Sequence, residues 1–319
     1  MPIAKTTPTR LAIVGCTASG KSSLGLAVAS ILRERDVPAE IVCVDSMTVY
    51  RGLDVGTAKA TLDEQMLVPH HCIDLVEPDE EYSVGDFQRV ALRAIDNIES
   101  RGGVPILVGG TGLYVDAVVD ELDIPSQFPA VRAALTLELR SGVPLENLYA
   151  RLDSLDPSAA TKMEPTNERR IIRALEVCVG SGRPFSSFGP GLEASQEPGR
   201  YAMIGLEWDR STLAARIEHR LAKQFDDGFL EEAAALLEHW GDSLSKTVGQ
   251  ALGYRELWEF LDNLWEFDEI LTEIVTHTRQ FAVRQERWFR RDKRIHWLDG
   301  TDSLETLVAQ SLAAFHPVA

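Results

Sequence analysis

A chain of 319 residues, 45% hydrophobic and 25% charged, is long enough for one large core plus a second, smaller module of ordinary globular composition. No apolar run approaches the ~20 residues of a membrane span, and "MPIAKTTPTR" lacks the apolar core of a secretory signal, which excludes a membrane protein and implies a cytoplasmic one. A formal net charge of −17 argues against a uniformly basic nucleic-acid binder, and Cys16, Cys43, Cys72 and Cys178 lack C-x-x-C spacing, so they read as reduced thiols with no zinc site.

The first apolar run, "LAIVG", suits a buried parallel strand, and it leads into "VGCTASGKSS". Gly15, Gly20, Lys21 and Ser22 fit G-x-x-x-x-G-K-[ST], the pattern whose backbone N–H groups point inward at a phosphate. The contact set is Gly15, Thr17, Ala18, Ser19, Gly20, Lys21, Ser22 and Ser23, with Lys21 as the point charge and the Ser22 hydroxyl placed for Mg²⁺. Leu24, Val28, Ile31 and Leu32 then recur at helical spacing, and a helix N-terminus at the loop favours anions.

Next comes the strand "IVCVD", which ends in Asp45. A carboxylate at that point is a general base, a water-linked Mg²⁺ ligand, or a cap over Ser46 and Met47; local sequence does not separate these. "HCIDL" reads as a further strand, Val84 to Ser100 as a helix, and "VPILVGG" as a buried strand running into "TGLYVDAVV". Alternating strands and helices imply a parallel α/β sheet, with chemistry at the carboxyl ends of its strands. Gly15, Asp45 and the Gly109-Gly110-Thr111 turn therefore converge on one crevice, while Tyr114 reads as core.

From Pro129 to about Arg183 every segment reads helical, with breaks at "SGVP", "LDPS" and "SGRP". The domain reading is a core of residues 1–122 and 201–319 and a helical insertion of 123–200. Within the insertion, "NERRIIRALEV" puts Arg169 and Arg173 four apart on one face with Arg170 adjacent, either an anion grip or a solvated, salt-bridged face. "YAMIGLEWD" returns to the sheet, and "RIHWLD" is a short later strand. Between them, "RQFAVRQERWFRRDKR" carries six arginines and Lys293 against Glu286 and Asp292, a local surplus of five. Arg284, Arg287 and Arg291 make one helical stripe interleaved with Trp288 and Phe289. The competing reading puts the aromatics in the core and pairs the arginines with surplus acids. Upstream, "VGQALGYREL" has glycines that permit close backbone approach.

In order and spacing, these blocks resemble the bacterial tRNA dimethylallyltransferases: "GCTASGKSSL", "DSMTVYRGLDVGTAKAT", "VPHHCIDLVEPDEEYSVGDFQ", "GGTGLY", "NERRIIRALEV", "GYREL" and "RQERWFRR". The resemblance implies a P-loop NTPase-like α/β core with a small all-helical insertion. It also implies transfer of the dimethylallyl group of dimethylallyl diphosphate to the exocyclic amine of the adenosine after the anticodon. In that case the loop cradles a diphosphate leaving group and hydrolyses no nucleoside triphosphate. Asp45 accepts the amine proton, Thr111 orients the base or Asp45, and Lys21 with Mg²⁺ on Ser22 stabilises the departing diphosphate. The target base leaves its stack to react. Contacts to the tRNA anticodon stem-loop are implied for Asp45, Ser46, Met47, Thr48, Thr111, Arg132, Arg169, Arg170, Arg173, Gly253, Tyr254, Arg284, Gln285, Arg287, Trp288 and Arg291. The expected form is a monomer away from membranes. Two positions depart from the family pattern: Cys16 stands where Pro is usual, and Thr48 where Gln is common. The rival readings are an adenylate isopentenyltransferase using free nucleotide, a P-loop small-molecule kinase, and a non-enzymatic P-loop switch.

Overall fold

The computed structural model describes residues 9–188, 199–262 and 266–315; most of the N-terminal decapeptide lies outside them. Contacts divide the chain into Met1–Val119 with Gln196–Ala319, and Asp120–Ser195.

The larger unit is built on six parallel strands: β1 (Arg10–Val14), β2 (Ala39–Val44), β3 (His70–His71), β4 (Val104–Gly109), β5 (Tyr201–Glu207) and β6 (Ile295–Asp299), in the order β3-β2-β4-β1-β5-β6. All five residues of β1 are buried. Leu11 and Ile13 face one core cluster while Ala12 and Val14 face the other, because side chains alternate across a strand covered on both faces. Leu24, Val28 and Leu32 of α1 (Lys21–Glu34) pack on the first face with Leu307 and Val308 of α13 (Leu304–Ala313). The other face is covered by α3 (Val84–Ser100), α4 (Gly112–Val119), α9 (Arg210–Asp226), α10 (Phe229–Trp240), α11 (Tyr254–Leu261) and α12 (Phe267–Phe289). Helix α3 starts where Ser83 and Asp86 form a reciprocal capping box. Tyr114 is buried in this cluster against Phe87, ring centroids 4.4 Å apart.

The strand expected over "HCIDL" shrinks to His70–His71. Cys72 and Asp74 have φ of 65° and 52°, which breaks the extended run, and Val76 instead bridges to Tyr50. The short α2 (Leu62–Leu67) precedes it, opened by a Thr61–Glu64 capping box.

The smaller unit holds α5 (Pro129–Arg140), α6 (Leu145–Leu155), α7 (Pro157–Ala160) and α8 (Glu168–Ser181), around Leu135, Leu148, Leu152, Ile171 and Leu175. Its breaks follow from local chemistry. Pro144 precedes α6, the Asp156 carboxylate accepts the Ala159 N–H at 3.0 Å to cap α7, and Gly182 closes α8 with φ of 69°.

Candidate active site

Strand register builds the crevice. Val14 and Val44 both pair with Gly109, so Gly15, Asp45 and Gly110 leave three neighbouring strands at one level. The loop after β1 turns on Gly15 and Gly20, with φ of 151° and 94°, and Ala18 also takes a left-handed φ of 60°. Lys21, Ser22 and Ser23 open α1, so their backbone N–H groups have no intrahelical partner and face the helix's positive end.

Carbonyls of the loop are held by groups behind it. Arg216 donates to Ala18 O at 2.9 Å and stacks 4.1 Å over the Trp208 ring, and the Trp208 indole donates to Ser19 O at 2.9 Å. Thr17 departs from its expected role: its N–H donates to Gln285 Oε1 at 2.8 Å, and its hydroxyl accepts from Arg220 at 3.1 Å.

Lys21 reaches back to donate to Cys16 O at 3.2 Å. Burial first, then the neighbouring Arg220, push its ammonium below the ordinary lysine value, while Asp45 pulls it back. Arg220 itself has no carboxylate within ion-pair distance among the described residues. Two cations without a paired acid beside a nest of N–H groups make a site for an anion. Arg220 was not among the residues expected from sequence. Its available signal was the i, i+4 pair Arg216–Arg220 on the helix that follows β5, the strand beside β1.

Asp45 is half-buried, and its Oδ1 accepts the Met47 N–H at 2.8 Å, the capping bond foreseen from sequence. Oδ2 has no protein hydrogen bond among the described residues. Thr111 Oγ1 accepts the Ser46 N–H at 3.1 Å and approaches Ser46 Oγ at 3.4 Å, which fixes the end of β2 to the turn after β4. Asp45 and the exposed Ser22 hydroxyl are hard oxygen donors of the kind Mg²⁺ takes together with water and phosphate. Among the described residues no cluster of three or more His, Cys, Asp or Glu forms an all-protein metal cage.

The other expected contacts separate into surface and interior. Arg284 and Arg287 are exposed on α12 and have no carboxylate partner among the described residues; Arg284 lies 5.8 Å from the Phe281 ring. Arg291 stacks 4.3 Å over Trp288, whose indole donates to Asp116 at 3.0 Å. Elsewhere in the basic run, Arg279 pairs with Glu218, Arg290 with Glu207, and Arg294 with Asp292, so part of the surplus is spent internally. Several expected RNA contacts prove to be interior. Tyr254 is 1% exposed and donates to Glu232, Gly253 caps α11 with φ of 87°, Thr48 is buried, and Gln285 is 6% exposed. Each of these segments is apolar-flanked, and the core claims it.

In the smaller unit Arg169 and Arg170 are exposed, with no acidic partner among the described residues. Arg132 and Arg173 instead converge on Glu176, which is fully buried, at 2.7 and 3.0 Å. The Phe128 N–H also donates to Glu176 at 2.7 Å, and Arg173 donates to Pro125 O at 2.7 Å. Both arginines are anchored on the unit's own buried acid, Arg132 from an exposed position.

The IPP transferase family model matches residues 48–292. A tRNA dimethylallyltransferase of Thermobifida fusca is 47% identical over 290 residues, 91% of this chain and 89% of the relative. One of Kineococcus radiotolerans is 43% identical over 313 residues, 97% and 96% of the two chains. Among solved structures, the full-length tRNA isopentenylpyrophosphate transferase of Bacillus halodurans superposes with a TM-score of 0.67 at 35% identity, covering 95% of this chain and 94% of that one. A eukaryotic dimethylallyltransferase acting on tRNA superposes with a TM-score of 0.78 at 25% identity, covering 95% and 77%.

Proposed function

The chain belongs to the IPP transferase family, and we infer from that membership and from the crevice that it is a tRNA dimethylallyltransferase. It moves the dimethylallyl group of dimethylallyl diphosphate to N6 of the adenosine 3′-adjacent to the anticodon. The observation that carries this reading is the pairing of Lys21 and Arg220 at an anion loop level with Asp45.

The N6 lone pair attacks the allylic methylene, the bond from that carbon to the bridging oxygen breaks, and diphosphate leaves with the bond's electrons. The negative charge grows on diphosphate oxygens, where Lys21, Arg220 and the N–H groups opening α1 stand ready; this is stabilisation that increases along the reaction. Asp45 takes the N6 proton, with Oδ2 as the accepting oxygen and Oδ1 anchored on Met47. Thr111 keeps the Asp45–Ser46 segment in place. Ser22 would hold Mg²⁺, which when bound would add positive charge against the diphosphate.

A loop of this kind recognises phosphate oxygens whatever they are attached to, so it needs no nucleoside triphosphate. The anticodon stem-loop meets Ser46 and Met47 at the crevice, Arg284 and Arg287 on α12 and Arg291 just past its end, while Arg169 and Arg170 supply phosphate contacts on the insertion. The target adenine leaves its stack to reach Asp45. The enzyme acts as a monomer in the cytoplasm; no helix of the described residues is long and apolar enough to cross a membrane.

The test is transfer of labelled dimethylallyl groups with unmodified tRNA and AMP offered as competing acceptors. Label in tRNA alone supports the reading. Label in AMP moves the protein to free-nucleotide prenylation and contradicts it.

A further inference from the structure

Gln285 sits on the inward side of α12 with both ends of its amide engaged. Oε1 accepts the Thr17 N–H of the phosphate loop, and Nε2 donates to Gly110 O in the turn after β4, both at 2.8 Å. Each partner belongs to a different side of the crevice: one to the diphosphate loop, the other to the turn whose next residue, Thr111, holds Ser46 beside Asp45. The amide therefore spans the two halves of the reaction site from behind.

The surroundings are shaped to this reach. A Cβ on Gly110 would lie 2.6 Å from Gln285 Nε2 and 2.9 Å from Gly15 O, so only glycine lets the amide, the loop and the turn come together. One helical turn on, Trp288 lies over Gly112, where a Cβ would stand 2.2 Å from the indole. Helix α12 thus rests directly on the Gly110–Gly112 turn while Arg284 and Arg287, on either side of Gln285 in sequence, are exposed.

The geometry points to Gln285 as a positioning residue that fixes the spacing between the diphosphate loop and the Thr111 turn, without touching RNA. This rests on the functional reading above. An apolar side chain there leaves the Thr17 N–H and the Gly110 carbonyl without their buried partner, and the loop relaxes out of the conformation that accepts diphosphate. The exposed arginines beside it are undisturbed, so RNA affinity is spared.

Gln285→Leu and the shorter Gln285→Asn, made in the full chain, separate the possibilities. Inorganic pyrophosphate binding is read by calorimetry, tRNA binding by filter retention, and the KM for dimethylallyl diphosphate and kcat by transfer to tRNA. The expected result is a loss of about tenfold in pyrophosphate affinity, with a matching rise in the KM for dimethylallyl diphosphate, and a tRNA Kd within twofold of the parent. If Gln285→Leu does not fold, as read by its melting transition, Gln285→Asn carries the test alone. Unchanged pyrophosphate binding with weakened tRNA binding overturns the inference and makes Gln285 an RNA contact; equal weakening of both also overturns it, as a general packing effect. A parent protein whose pyrophosphate affinity depends on Gln285 yet which modifies no tRNA sinks the functional reading and leaves this one standing.

Discussion

The Thr111 hydroxyl accepts the backbone N–H of Ser46 at 3.1 Å, and this bond ties the ends of β4 and β2 together one residue beyond Asp45. The carboxylate is thereby placed by two bonds that a proton taken at Oδ2 would leave intact: its own to Met47 and its neighbour's to Thr111. Asp45→Asn keeps the shape and removes the proposed base, so single-turnover transfer should fall by about 10²–10⁴-fold while pyrophosphate affinity stays within twofold. Lost pyrophosphate affinity would point instead to a metal-ligand role. Thr111→Val should lower kcat by about tenfold, and Thr111→Ser should restore most of it.

Lys21 carries a cost before substrate arrives. Burial and Arg220 lower its pKa, so between the folded value and the ordinary ~10.4 the unfolded chain binds more protons, and stability from this group rises with pH across that window. Diphosphate affinity runs the other way, falling as Lys21 loses its proton. Lys21→Met should therefore melt higher than the parent at pH 7 and show no transfer. Pyrophosphate at a hundred times its Kd should stabilise the parent by about 2.7 kcal/mol and the variant far less. Thermal melts with and without pyrophosphate check both signs.

On α12, Arg284 and Arg287 are exposed and without acidic partners among the described residues, whereas Arg279, Arg290 and Arg294 are paired. Arg284→Ala and Arg287→Ala should each weaken tRNA binding at all sequences alike and reduce the slope of log K against log salt by about one. Arg290→Ala should change that slope little. Binding isotherms at several salt concentrations decide it.

Glu176 gives the smaller unit an acid-sensitive centre. Burial would raise its carboxyl, but the Phe128 N–H, Arg132 and Arg173 outweigh burial and hold it below the ordinary value. Its stabilisation is then complete above the usual carboxylate range and is lost as pH falls through the lowered value. Glu176→Ala leaves a cavity, strands the Phe128 N–H and frees Arg132 and Arg173 from their shared acid, and should destabilise this unit by about 2 kcal/mol. Hydrogen exchange over residues 120–195 should show it, with Arg132→Ala opening the same segment.

Much of the crevice was legible because its signals are local. The loop glycines and Lys21 announce a phosphate site within a few residues, the place of Asp45 follows from the strand that it ends, and buried parallel strands have no alternation to misread. Pairing across the fold was not legible. Arg220 lies about two hundred residues from the Thr17 hydroxyl that it contacts, and nothing near it in sequence names a phosphate loop. Gln285 and Tyr254, expected at the RNA, are buried, and Arg132 is exposed but paired, for the same reason: whether a polar side chain on an amphipathic helix faces solvent or a buried partner depends on what packs there. For Arg132 the partner is Glu176, 44 residues along the chain and two helices away. "HCIDL" failed as a strand because Cys72 and Asp74 take left-handed backbone, which an apolar pattern does not reveal.

On the proposed function, this phosphate loop holds a leaving group and spends no triphosphate. This is tested most directly in one reaction containing the protein, unmodified tRNA, labelled dimethylallyl diphosphate, Mg²⁺ and ATP, with prenylated tRNA, free diphosphate and orthophosphate measured together. One diphosphate should be released for each dimethylallyl group found on tRNA, with no ATP consumed. ATP turnover with no label in tRNA would contradict it.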